Sequence, residues 1–142
     1  MTDTLPFSTS IRVHQPDDPA PRLIIFGIRR MGAHGLADAS VAHAFLTAFG
    51  KDFRRPLLLL RTLVAELSTV SARSIQIAPW CCPRMTAHEA TLLDVFVLSH
   101  HDDGAAHLLL AGMIGRDEAH GPLATAAALA GAFADLGLPL SA

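Results

Sequence analysis

Apolar residues recur at helical spacing along most of this chain. The clearest stretch runs Leu57, Leu60, Leu63, Val64, Leu67 and Val70, the one-sided stripe of an amphipathic helix. Pro56 suits its first turn, and the stripe holds to about Arg73. Leu58 and Leu59 widen it, so this helix is expected to be central and buried on more than one side. A second stripe, Val41, Ala44, Phe45, Ala48 and Phe49, predicts a helix over 39–49. Asp38 would open it and Gly50 would close it. Upstream, residues 22–31 read RLIIFGIRRM and are apolar nearly all round. Over so short a run, period does not separate a buried helix from a buried strand. The stop signal at Gly35 favours helix.

After Arg73 the pattern breaks. Ser74–Ala78 alternates like a short strand, and Pro79 and Pro83 forbid a regular helix. Thr86-Ala-His-Glu89 then has the form of a capping box. It predicts a fourth helix, about Ala87–Ser99, with Leu92, Leu93, Phe96 and Val97 inward. His100–Gly104 reads as a turn with Asp102 or Asp103 as the next cap. A fifth helix runs to about Ile114, Gly115–Gly121 is a polar loop, and Pro122 starts an alanine-rich sixth helix ending near Leu136–Gly137. Residues 1–21, with four prolines, read as an irregular arm in which Ile11–Val13 could pair as an edge strand. The expectation is an all-α domain over 22–142, a bundle of five to six helices with one irregular loop around 74–85. Two short paired strands, at 22–28 and 74–78, would instead make it α+β.

Composition agrees with the helical reading. Of 142 residues, 51% are hydrophobic and only 17% charged, and tyrosine is absent. The excess is largely alanine and leucine, good helix formers. Neither Leu23–Ile28 nor Pro56–Leu60 approaches the ~20 apolar residues that span a bilayer. The N-terminus lacks a basic flank and apolar run, so no secretory signal is expected. These points lead to a cytoplasmic expectation with no membrane partner. The surplus apolar surface points to self-association.

Charge is unevenly placed. Residues 22–84 carry nine Lys and Arg against three acids, a net of +6, whereas residues 85–142 carry one against seven, a net of −6. Either the two halves neutralise each other, or Arg29, Arg30, Arg54 and Arg55 converge on an anionic ligand. Nucleic acid is disfavoured, because the pI is near 6.4 and no aromatics are interleaved with the basic residues.

Four groups could carry chemistry. Cys81 and Cys82, adjacent between two prolines, close no useful disulfide loop. They could bind a metal ion if the fold brings in His34, His43 or His88, or simply plug the core as small hydrophobes. His34 and His43 converge only if the chain turns at Gly35. The His100–Asp103 run, with His107 further on, could hold a metal or serve as a polar cap. Glu66, among leucines, needs a partner if buried, with Arg73, Arg29 and Arg30 as candidates and Arg73 the expected structural ion pair. No cofactor is expected beyond a possible metal ion. There is no nucleophile elbow, P-loop, dinucleotide fingerprint or His-Glu-x-x-His.

The runs RRMGAHGLADA (29–39), FRRPLLLLR (53–61) and SARSIQIAPWCCPRMT (71–86) resemble a small alphaproteobacterial family known only as a domain of unknown function. The likeness spans residues 22 to about 136. It implies a helical, bacterial, cytoplasmic protein and no particular activity or site. The sequence thus leaves three readings. The first is a non-enzymatic interaction or regulatory protein acting as a homodimer. The second is a binding domain for a small anion or metal, and the third is an enzyme built on Glu66 or a histidine.

Overall fold

The computed structural model describes residues 11–141. Six α-helices make up the body: α1 (Pro19–His34), α2 (Ala39–Phe49), α3 (Arg54–Val70), α4 (Ala87–Leu98), α5 (Asp103–Ile114) and α6 (His120–Asp135). Two short strands, β1 (Ile11–His14) and β2 (Arg84–Thr86), pair antiparallel. The helical expectation holds. The strand alternative fails at its proposed positions, because residues 22–28 lie inside α1 and 74–78 join no ladder. The ladder that does form uses part of the predicted N-terminal arm; residues 1–10 of that arm lie outside the described residues.

Local signals explain most boundaries. Asp38 accepts a hydrogen bond from the Val41 N–H and Asp102 from the Ala105 N–H, satisfying orphan donors at two helix starts. Thr86 and Glu89 form the full capping box of α4. Gly35 and Gly50 end α1 and α2 at positive φ, where a Cβ would be strained. The first helix begins earlier than the apolar pattern suggested, at Pro19, since proline costs nothing in a first turn. The third ends at Val70, short of Arg73, where Ser71 turns extended.

Helices α1, α2 and α3 form one group, and α4, α5 and α6 the other, with α3 lying along α6 as the seam. The alanines of α6 make this approach possible, Ala126 and Ala130 both being buried. Gly27 does the same between α1 and α3: a Cβ there would stand 2.5 Å from Leu60 Cδ2. Phe45, Phe49 and Phe133 pack at tilted or edge-on angles, with ring centroids 5.0–6.0 Å apart. They tie α2 to the end of α6.

Candidate functional site: a pocket under a pinned strap

Residues 71–78 cross the bundle as an extended strap without regular secondary structure. Such a segment has no ladder to satisfy its backbone, so side chains and one helix-end carbonyl do that work. The Ala72 N–H donates to the Ile114 carbonyl at the end of α5. Gln76 is held on both sides: its N–H donates to His88 Nδ1 (2.7 Å) and its carbonyl accepts from Thr86 Oγ1 (2.7 Å). The Ala78 N–H donates to Glu89 Oε2. Gly32 of α1 leaves room for Ile77, whose Cδ1 fills the space a Cβ would take.

The anchor of this arrangement is an ion pair wholly inside the protein. Arg29 is 1% exposed and Glu89 0%. The guanidinium meets the carboxylate through two bonds, Nε to Oε2 at 2.8 Å and Nη2 to Oε1 at 2.9 Å. Its remaining donors reach the Cys82 and Arg84 carbonyls, each at 2.7 Å. Glu89 also accepts from the Thr86 and Ala78 N–H groups. Four donors thus converge on one carboxylate, which is what makes a buried charge tolerable.

Beneath the strap lies a pocket of about 570 Å³ between α1, α3 and α4. Ile28, Val64, Leu67, Ile75, Ile77 and Leu92 supply an apolar lining, and Ser68, Ser71 and Ser74 add polar points. The size is that of small-molecule sites, and the lining is mixed, only a little over half of it apolar. Arg73 also borders it, with its guanidinium packed over Gly115 at the end of α5. Burial, and then the positive charge of Arg73, push the His88 imidazole below its usual range. Both favour the neutral ring that accepts from Gln76.

The residues expected to form sites are distributed differently. The four arginines do not meet. Arg29 pairs inward with Glu89, Arg30 holds Asp38 (3.1 Å), and Arg55 reaches Asp135 (3.4 Å). Arg54 lies over the Phe53 ring. The Arg30 guanidinium holds the Asp38 carboxyl below its usual range. Two of these pairs, Arg29–Glu89 and Arg55–Asp135, join the basic stretch to the acidic one, so the charge asymmetry is neutralised in part within the chain.

The cysteines do not plug the core. Cys81 is exposed and Cys82 half-buried, and what the fold uses is the Cys82 carbonyl, clamped by Arg29 and Gln15. Among the described residues, neither cysteine joins His34, His43 or His88 in a set of three potential metal ligands. His34 and His43 are exposed. Glu66 makes no ion pair with Arg73, nor with any other described residue. Its Oε2 lies beside Gly121 in the first turn of α6, where the helix dipole favours a negative charge.

A six-helix bundle crossed by a strap, with a pocket of mixed lining below it, defines a class of small helical domain rather than an activity. The chain belongs to the family described as "Family of unknown function (DUF6628)", whose model matches residues 7–137. No curated protein and no solved structure matches the chain. No helix among the described residues is long and apolar enough to cross a membrane.

Proposed function

We propose that this protein is a non-enzymatic regulatory domain that binds a small amphipathic molecule under the strap. The pocket of about 570 Å³ carries the reading. Its wall is held by side-chain hydrogen bonds rather than a ladder, so a ligand can be coupled to the position of the strap. The bacterial, cytoplasmic setting expected from the sequence belongs to this proposal.

Decanol and decanoate serve as probes, titrated into the untagged full chain and followed by amide chemical shifts. Saturable shifts confined to residues 28–32, 64–78 and 92 are expected for at least one probe. Ser68→Trp fills the pocket from an exposed position and should weaken binding by about tenfold or more with the helical spectrum unchanged. Absence of saturable binding by both probes, or shifts centred elsewhere, overturns the reading.

Self-association is a second reading, favoured by one observation. Leu108, on the outer face of α5, is 76% exposed, with Leu109 beside it.

A further inference from the structure

Away from the pocket, the loop joining α5 to α6 gathers a different chemistry. His107 lies on α5, Glu118 precedes α6, and His120 begins it. Each offers a ligand atom, and these atoms all lie within 4.8 Å of one another. The two imidazoles stack with centroids 4.2 Å apart and planes 20° from parallel. Glu118 also lines a recess of about 380 Å³ with Glu66 and Arg116. There Glu66 Oε1 is buried without a hydrogen-bond partner. Arg116 is turned to the Val70 carbonyl, which its Nε meets at 2.9 Å.

We propose that His107, Glu118 and His120 bind a borderline divalent transition metal such as Zn²⁺ or Ni²⁺, with the unpartnered Glu66 carboxylate adding negative charge beside it. Two imidazoles and a carboxylate suit such ions. An all-oxygen set would suit Mg²⁺ or Ca²⁺ instead. The sequence marked only His107, since Glu118 and His120 are ordinary loop residues until the α5–α6 turn brings them together.

Without metal, the ligands hold the loop. His107 Nε2 accepts from the Ala119 N–H at 2.9 Å, and a Glu118 carboxylate oxygen accepts from the His120 N–H. Each imidazole binds a metal in its own ring plane, so two nearly parallel stacked rings do not point at one ion. Loading therefore turns the exposed His120 out of the stack and competes with the Ala119 bond. Both effects make affinity lower than that of a preformed site, by about tenfold or more.

The test is calorimetric titration of untagged full chain with ZnCl₂ and NiCl₂, with histidine ring resonances followed in parallel. One ion per chain is expected, moving the His107 and His120 resonances but not those of His88 or His100. His120→Ala and Glu118→Gln should each weaken binding about tenfold or more, with helix content unchanged. Cys81→Ser/Cys82→Ser should bind as the parent does. No binding, or binding that survives His120→Ala and is lost with the cysteines, overturns the proposal.

Discussion

Arg29 shows how one residue can be read correctly for charge and wrongly for role. Next to Arg30 in a basic stretch, it suggested a surface for anions. In the fold it is the one arginine among the described residues that is buried, satisfied by a carboxylate 60 residues away and by the backbone carbonyls of Cys82 and Arg84. Such a pair adds little over a well-packed apolar substitute, yet breaking it leaves a charge stranded in the core. Arg29→Met should therefore destabilise the protein by about 3–5 kcal/mol. Glu89→Gln should cost at least as much, since it leaves the Arg29 charge unpaired and turns an amide NH2 against N–H groups that had met a carboxylate oxygen. Urea unfolding of both variants checks this; a loss under about 1 kcal/mol for Arg29→Met would show that the carboxylate finds other partners. At this scale the caps were legible, because Asp38 and Thr86 act on backbone within three residues. The role of Arg29 was not, because its partner Glu89 lies 60 residues away, nor was the lack of any ion-pair partner for Glu66 among the described residues.

At the scale of elements, the helices followed from period and the strap did not. Residues 74–78 alternate as a strand should, but alternation does not name a partner. The actual ladder pairs Val13 with Met85, leaving the strap to the side chains of α4 and β2. One of those anchors titrates. The Gln76 N–H requires a neutral His88, whose pKa is lowered on folding from an ordinary 6.5 by burial and by Arg73. The unfolded chain therefore takes up this proton first as pH falls. The stabilisation from His88 is fully present above pH 6.5 and is lost as pH drops through the lowered folded value. Stability measured from pH 8 to pH 5 should fall more steeply for the parent than for His88→Phe, with the exchange protection of the Gln76 amide, relative to an unstructured chain at the same pH, lost first. Equal slopes would remove His88 from the mechanism.

For the whole molecule, the surplus of apolar residues goes mostly into one continuous core shared by both helix groups. What is left outside is concentrated at a few positions, Leu108 foremost. If that face of α5 joins two copies, Leu108→Glu should shift sedimentation from dimer to monomer and leave thermal stability at high dilution unchanged. A parent chain that sediments as a monomer at all concentrations would end the self-association reading. The charge asymmetry is partly bridged at this scale. Arg29–Glu89 and Arg55–Asp135 span it within one chain, so part of it is neutralised without a second copy.

The sequence by itself determined the last five helices, their order and most of their caps, and favoured a helix over a strand for α1. Those depend on spacing of three or four residues and on side chains bonding to nearby backbone, both local matters. It also placed the irregular stretch near 74–85, though its last two residues, Arg84 and Met85, pair in β2. The tertiary structure alone decided where that stretch lies, which arginine is buried, that Cys81 faces solvent, and that a pocket lies beneath 71–78. It also decided that His107 meets Glu118 and His120. Each of these depends on groups far apart in the chain being brought within bonding distance, and neither period nor composition encodes such a distance.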